Sequence, residues 1–147
     1  MKKIILAVTL LSLAFTFTWA QEESSKLPRP RLVFTGTEDF KVDKYQLTRY
    51  KLSVENRRAY PDAMFAPAPD LPPCGSNTNA SRSWVDIFAR GGQRIYGFCA
   101  LGSSETLGHL WFAVPKGEAP PDYVHIVIED RKLKTKLVSN VVSTGAP

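Results

Sequence analysis

The fold class of this chain is decided by the run Tyr123-Val124-His125-Ile126-Val127-Ile128-Glu129. Apolar side chains occupy both alternating sets of this run, Val124, Ile126 and Ile128 in one set and Tyr123 and Val127 in the other. Because successive side chains of a β-strand point to opposite faces, such a strand is buried on both sides. We therefore expect residues 123–129 to form the central strand of a packed sheet.

Short strands divided by Pro and Gly turns accompany this central strand along the sequence. We predict them at 31–35, 45–55, 83–89, 94–101, 107–114 and 136–142. The strands at 83–89 and 94–101 should form a hairpin about Gly91-Gly92, since paired glycines supply the positive φ of a tight turn. Leu47 is out of phase with the alternation of residues 50–54, which predicts a bulge near Arg49. About seven short strands without a long amphipathic helix predict a single all-β sandwich.

The N-terminal segment has the pattern of a secretory signal peptide. Lys2 and Lys3 precede an apolar run at 4–17, and Ala20 precedes a polar stretch. We expect cleavage after Ala20 and a secreted or periplasmic protein. We further expect a flexible leader at 21–30, a domain at 31–143 and a C-terminal tail at 144–147. The 127 residues left after cleavage are enough for one domain.

The charge of the chain argues against a nucleic-acid partner. The formal net charge is +5, of which Lys2 and Lys3 account for two, so the cleaved chain would carry +3. Its basic residues are scattered and interspersed with acids, which is typical of a solvated surface. No second apolar run approaches the length of a membrane span, so we expect none in the mature form.

Two cysteines, Cys74 and Cys99, follow the predicted signal peptide. In an exported chain such a pair predicts one disulfide, and two free buried thiols are the alternative. The bridge would close a loop of about 25 residues and stabilise the fold by roughly 3 kcal/mol. A C-x-x-C motif is absent and the chain has two histidines, so we expect no metal site and no cofactor.

The segment Leu110–Gly117, followed by the strand that Tyr123 opens, resembles the E–F corner of fibronectin type III and related immunoglobulin-like domains. The resemblance implies that the ring of Tyr123 packs on the core edge while its hydroxyl bonds backbone upstream. It implies that Pro115 and Gly117 form the corner turn. It extends over most of residues 31–142 and implies an immunoglobulin-like, fibronectin type III-like sandwich with an added Pro-rich loop. This fold hosts many functions, so it assigns none.

Catalytic motifs are weak in this sequence. A Gly-x-Ser-x-Gly nucleophile elbow is absent, and Gly102-Ser103-Ser104-Glu105 is typical of an ordinary Ser-rich turn. His109 and His125 lie on different predicted strands, which does not favour a shared site. We therefore expect a protein that is not an enzyme, and a small hydrolase using one of these histidines is the weakest of our hypotheses.

The Pro-rich segment 61–82 is the predicted binding loop. Its candidate residues are Met64, Phe65, Leu71, Asn77, Asn79 and Arg82. Its apolar residues either cover one open end of the sandwich, stapled by Cys74, or form an exposed ledge for a partner. We expect a binding or structural module whose partner is another exported protein or a cell-surface glycan. The alternative is an inhibitor of an extracellular or periplasmic enzyme that presents this disulfide-held loop.

Overall fold

The computed structural model describes residues 27–145, which form two antiparallel β-sheets that share one core. The strands are β1 (Leu32–Val42), β2 (Tyr45–Val54), β3 (Ser83–Ala89), β4 (Arg94–Phe98), β5 (Leu110–Pro115), β6 (Tyr123–Asp130), β7 (Thr135–Val138) and β8 (Val142–Ser143). Short 3-10 turns occur at Arg57–Ala59, Asp62–Met64 and Ser104–Gly108. The predicted signal peptide, residues 21–26 of the predicted leader and residues 146–147 of the predicted tail lie outside the described residues.

One sheet has the order β1-β2-β5 and the other the order β4-β3-β6-β7, with the short β8 also pairing with β6. The central position predicted for residues 123–129 is confirmed, because β6 lies between β3 and β7. The predicted hairpin is also confirmed, since β3 pairs with β4 around a turn in which Gly92 has a φ of +84°. The all-β class and the two-sheet architecture therefore agree with the sequence.

The core lies between the inner faces of the two sheets. Its fully buried members come from alternating strand positions, namely Leu52, Val54, Val85, Ile87, Leu110, Phe112, Val124, Ile126 and Ile128. Each of these side chains is flanked in sequence by residues that point outward. Burial of one set of positions therefore fixes which residues each sheet presents on its outer face.

The predicted bulge near Arg49 is wrong, and the irregularity lies in the neighbouring strand. β2 pairs with β5 without interruption from Leu47 to Leu52, whereas the register of β1 shifts between Phe34 and Gly36. Leu47 lies opposite Phe40 on the outer face of the sheet. Leu47 is therefore out of phase with the core residues because it belongs to this outer apolar pair.

Four strands differ from their predicted bounds. The strand predicted at 31–35 continues past the register shift at Gly36 to Val42, because residues 36–42 pair with β2. The strand predicted at 94–101 ends at Phe98.

β5 begins at Leu110, because the preceding residues form the 3-10 turn Ser104–Gly108. The last predicted strand is divided into β7 and β8 at Ser139, whose hydroxyl accepts a hydrogen bond from the backbone N–H of Ile126 at 2.9 Å. The Ser139 hydroxyl thus takes the place of a backbone carbonyl in the hydrogen-bond ladder. The N–H of Ile126 in β6 keeps a hydrogen-bond partner although the edge strand is interrupted there.

The N-terminal segment is bonded to both sheets. Asn140, which follows β7, receives a hydrogen bond from the N–H of Leu32 at 2.8 Å and donates to the carbonyl of the same residue at 2.9 Å. Within the predicted leader, Arg29 donates to the carbonyls of Val138 at 3.0 Å and Ser139 at 2.7 Å. These bonds connect the start of β1 to the edge of the larger sheet.

The buried tyrosine of this domain is Tyr60. Tyr60 is 1% exposed, and its hydroxyl donates to the carbonyl of Pro28 at 2.7 Å. Tyr123 is 41% exposed, and the guanidinium of Arg90 lies over its ring at 5.3 Å. The burial and the upstream hydrogen bond that the resemblance implies for Tyr123 are thus found at Tyr60.

The turn implied after β5 is present. The N–H of Glu118 donates to the carbonyl of Pro115 at 3.0 Å, and Gly117 has a φ of +93°. This conformation favours glycine, because a side chain there would crowd the backbone. Pro115 and Gly117 therefore form a tight turn, although Tyr123 beyond it is exposed.

Replacement of Asn140 by alanine should destabilise the domain. Asn140→Ala removes both hydrogen bonds to Leu32, and a partly buried N–H and carbonyl lose their partners. We expect the free energy of unfolding to fall by about 1–3 kcal/mol in urea denaturation. Asn79→Ala, which removes the same amide from an exposed loop position, should change it by less than about 0.5 kcal/mol. Equal effects of the two substitutions would contradict a role for Asn140 in joining the sheets.

Stability at high pH should depend on Tyr60. Burial raises the pKa of Tyr60 to about 12 from the ordinary value of 10. The unfolded chain therefore ionises this phenol first as the pH rises above 10. The stabilisation is fully present below pH 10 and is lost as the pH rises towards 12, by at most about 1.4 kcal/mol per pH unit. Urea midpoints measured from pH 9 to 11.5 should fall less steeply in Tyr60→Phe than in the wild type, and parallel curves would show that Tyr60 does not contribute.

Candidate functional site

The apolar residues of the predicted binding loop belong to the core. Phe65 is 0% exposed and Met64 is 4% exposed, and both pack in the main hydrophobic cluster. Leu71 is half-buried. The exposed-ledge interpretation is wrong for Met64 and Phe65, because these side chains cover the end of the sandwich.

The loop is fastened to the rest of the domain at several points. Cys74 and Cys99 form the predicted disulfide, with Cα atoms 6.2 Å apart. Arg131 donates to the carbonyl of Pro72 at 2.6 Å and to that of Ser81 at 3.1 Å. The segment is thus a stapled cover rather than a free binding loop along most of its length.

The polar candidates of the loop are engaged within the domain to different degrees. Arg82 forms a bidentate pair with Asp130 at 3.0 and 2.7 Å, and Asp130 is 3% exposed. The side-chain oxygen of Asn77 accepts the N–H of Asn79 at 2.9 Å, which is an Asx-type turn. Asn79 is exposed. Arg82 and Asn77 therefore have structural roles here, and Asn79 presents its side chain to solvent.

The two histidines lie on different sheets. His125 stacks on Phe88 at 5.6 Å between ring centres, on the outer face of β6 and β3. His109 lies just ahead of β5 in the other sheet and is exposed. Within residues 27–145, no group of three His, Cys, Asp or Glu side chains is placed to hold a metal ion. Among residues 27–145, neither histidine has a carboxylate within 4 Å.

The outer face of β2 and β5 holds a groove that sequence reasoning did not identify. Its volume is about 430 Å³, and its lining residues are Thr35, Arg49, Lys51, Leu52, Gly108, His109, Leu110 and Trp111. We call it the Trp111 groove. Lys51 lies opposite Trp111 in the paired strands, so both point outward on the same face. The volume lies in the range of small-molecule sites.

Arg49 is the most constrained side chain of the Trp111 groove. Its guanidinium carbon lies over the ring of Phe40 at 4.5 Å and over the ring of Trp111 at 4.7 Å. Its nearest carboxylate, that of Glu38, is 3.6 Å away, which is longer than a hydrogen bond. Its Nε atom is buried and has no hydrogen-bond partner among the described residues. The two rings therefore fix the guanidinium, while its N–H donors in the plane stay largely unused.

Aromatic rings from the opposite sheet complete the wall beside Trp111. Tyr96 of β4 stacks on Trp111 at 5.2 Å between ring centres, and Phe98 meets Trp111 edge-on at 6.3 Å. Tyr96 is 39% exposed. Since these rings come from the edge of the other sheet, the row from Phe40 through Arg49 and Trp111 to Tyr96 crosses the boundary between the two sheets.

The lining of the Trp111 groove is basic. Arg49, Lys51 and His109 contribute cationic or protonatable groups, and none of the described residues that line the groove is acidic. Within 4 Å, Lys51 has no acidic partner in the described part of the chain. The carboxylate of Glu38, 3.6 Å from Arg49, lies outside this lining, so Lys51 carries the unpaired charge that favours an anion in the groove.

A second depression, near the β1–β2 turn, contains an ion pair, and Lys41 is the one charged residue of its described lining outside that pair. Its volume is about 260 Å³, and Lys116 donates to Asp39 at 2.7 Å across it. Hydrogen bonds from Lys116 and Thr48 hold the pKa of Asp39 below its ordinary value. This depression thus offers fewer unpaired groups to a ligand than the Trp111 groove.

The alternation of residues in β2 and β5 indicates which side chains line the Trp111 groove, but the predicted bulge at Arg49 conflicts with that alternation. Tyr50, Leu52 and Phe112 point inward, so Arg49, Lys51 and Trp111 must point outward by simple alternation. A bulge at Arg49 would have removed Arg49 from that set. The contribution of Tyr96 carried no such signal, because it depends on how the two sheets lie side by side.

The chain matches no protein-family model, and neither a curated protein nor a solved structure is significantly similar to it. Among residues 27–145, no helix is long and apolar enough to span a membrane. The disulfide is compatible with an oxidising compartment outside the cytoplasm.

Removal of the disulfide should destabilise the cover. In the double variant Cys74→Ser, Cys99→Ser, the unfolded chain regains the entropy of a 25-residue loop. We expect the free energy of unfolding to fall by roughly 3 kcal/mol, together with a lower Tm. The reduced wild type should behave like the variant, and the oxidised wild type should not. An unchanged Tm under oxidising conditions would show that the bridge does not hold the loop.

Proposed function

We propose that this chain is an exported, non-catalytic binding module whose ligand docks in the Trp111 groove. The observation that carries the proposal is the fixed guanidinium of Arg49 beside Lys51, in a groove without acidic residues among the described lining. Cationic groups arranged in this way can bind an anion by charge-assisted hydrogen bonds. Such binding does not require a general acid, a general base or a nucleophile beside the ligand. Export rests on the signal-peptide pattern of residues 1–20 and is supported by the disulfide.

We further propose that the sandwich is of the immunoglobulin-like, fibronectin type III-like kind. The sheet β1-β2-β5 corresponds to strands A-B-E in the usual lettering, and β4-β3-β6-β7 corresponds to C′-C-F-G. The Pro115–Gly117 turn lies between the strands that would be E and F. The division of the last strand at Ser139 is a local departure from this pattern.

The inhibitor hypothesis keeps one specific observation in its favour. Arg131 holds the loop at Pro72 and Ser81, and the disulfide holds it at Cys74. Asp70, Pro73 and Asn79 are exposed in this part of the loop. A loop fixed in advance loses little entropy on binding an enzyme. Twelve residues of 61–82 are exposed, five of them prolines. The Trp111 groove is favoured over this loop because it combines cationic side chains with an aromatic wall.

Binding by the module should depend on Trp111. In Trp111→Leu, Arg49 loses one of its two stacking rings and the groove loses its wall. We expect immobilised Trp111→Leu to capture at least tenfold less of the cell-surface or exported component that the wild type retains. Trp84→Leu is the matched control, because Trp84 also lies under an arginine, Arg131 at 4.2 Å, but on the other sheet. Circular dichroism and Tm would verify that both variants fold.

A second comparison separates the groove from the loop. Replacement of all of residues 61–82 would remove Met64 and Phe65 from the core, so we prefer the double variant Asp70→Ala, Asn79→Ala, which changes exposed positions only. Loss of capture in this variant together with full capture by Trp111→Leu would favour the inhibitor hypothesis. Equal capture by Trp111→Leu and the wild type would reject the groove as the binding surface.

A further inference from the structure

We infer that the Trp111 groove binds an acidic polysaccharide that carries a carboxylate on each successive sugar, as a polyuronate does. This inference rests on the proposed function and adds the chemical class of the ligand. It follows from the in-plane donors of Arg49, from the spacing of the cationic groups, and from the polar, open lining of the groove.

Arg49 selects a planar anion. Its guanidinium is stacked on Phe40 and Trp111 and its Nε is buried, so the N–H groups that can reach a ligand are those of the two terminal nitrogens, in the guanidinium plane. The side chain is 31% exposed, and its contact with Glu38 at 3.6 Å is too long to occupy those donors. A carboxylate presents two oxygens in one plane and matches such an edge with two parallel hydrogen bonds.

Lys51 adds a second cationic group to the Trp111 groove, farther along β2. Arg49 and Lys51 are two positions apart on β2 and share the outer face, which places their Cα atoms roughly 7 Å apart. His109 lies at the same groove beyond Lys51. A chain with repeated carboxylates satisfies Arg49 and Lys51 together.

The remaining lining favours a sugar over an apolar ligand. The side chains of Leu52 and Leu110 point into the core and are 1% and 0% exposed, so they add almost no apolar surface to the groove. Thr35 contributes an exposed hydroxyl-bearing side chain at the rim. Tyr96, which stacks on Trp111 beside the groove, is 39% exposed. Its ring and hydroxyl suit a sugar ring, which has both apolar and hydroxylated surfaces. A ligand with hydroxyls as well as carboxylates therefore fits the lining best.

The test is to titrate the full mature chain with four probes and to measure binding by NMR and calorimetry. These probes are hexagalacturonate, the neutral galactose hexamer, a hexaglutamate peptide and a dextran sulfate oligomer. We expect hexagalacturonate to bind at least tenfold more tightly than each of the other three, with shifts centred on Lys51, His109 and Trp111. An increase in salt from 50 to 300 mM should weaken binding severalfold, because the contacts are ionic.

A matched pair of variants locates the contact. Lys51→Gln should weaken hexagalacturonate binding at least fivefold, whereas Lys132→Gln removes the same charge from an exposed turn of the other sheet and should weaken it less than twofold. Neither lysine has an acidic partner within 4 Å among the described residues, so both variants should fold. Equal losses in the two variants would indicate attraction by overall charge and would overturn the inference.

The probes also distinguish failure of this inference from failure of the proposed function. Equal or tighter binding of hexaglutamate would identify an acidic protein as the ligand and overturn the sugar class. Equal binding of dextran sulfate would show a non-specific polyanion site, and equal binding of the neutral hexamer would remove the carboxylate requirement. If no probe binds while capture still depends on Trp111, the polyuronate inference fails and the binding module stands. If hexagalacturonate binds the groove while capture is independent of Trp111, the polyuronate inference stands and the proposed binding function of the groove fails.

Discussion

The alternation of side chains along β2 and β5 is the constraint on which the rest of this structure depends. Leu52 and Phe112 are almost fully buried against the opposite sheet. Their burial stabilises the fold by roughly 2 kcal/mol per side chain. Since neighbouring positions must then point outward, Arg49, Lys51 and Trp111 are displayed together on the other face. The core of the sandwich and the composition of the groove are thus two consequences of one pattern.

The Pro-rich segment solves a different problem, the open end of the sandwich. Two packed sheets leave apolar side chains accessible at their ends, and Tyr60, Met64 and Phe65 close one of them. Prolines suit this role because they limit the freedom of the unfolded segment and need no N–H partner. Once the apolar residues of the loop serve the core, binding must use other surfaces. The face of the smaller sheet is where unpaired charge and an aromatic wall occur together.

The sequence predicted those features that local pattern determines. β6, the β3–β4 hairpin and the Cys74–Cys99 bridge follow from periodicity, paired glycines and an even cysteine count. The errors arose where long-range contacts outweigh local pattern. Leu47 is apolar because it faces Phe40 across the sheet, not because the strand bulges. The break at Ser139 depends on a hydroxyl that reaches the backbone of Ile126, and no local rule announces such a bond.

The candidate site was hidden for the same reason. A lysine and an arginine two positions apart on a strand are typical of a solvated face, and their sequence context alone does not distinguish a groove from a surface. What distinguishes it is the position of Phe40 across the hairpin and of Tyr96 across the gap between sheets. The first contact depends on a hairpin register that was not predicted, and the second joins strands of different sheets, so neither follows from the alternation of β2 alone.

The energetics of Arg49 explain why this arrangement is stable and still suited to a ligand. A buried Nε without a partner costs about 1–3 kcal/mol. Contacts with two aromatic rings return about 0.5–2 kcal/mol each, and the ion pair with Glu38 at 3.6 Å adds to them. A closer carboxylate within the domain would stabilise the arginine further but would occupy its free donors. Because Glu38 pairs with the guanidinium without a hydrogen bond, the donors of the two terminal nitrogens are open to an incoming carboxylate.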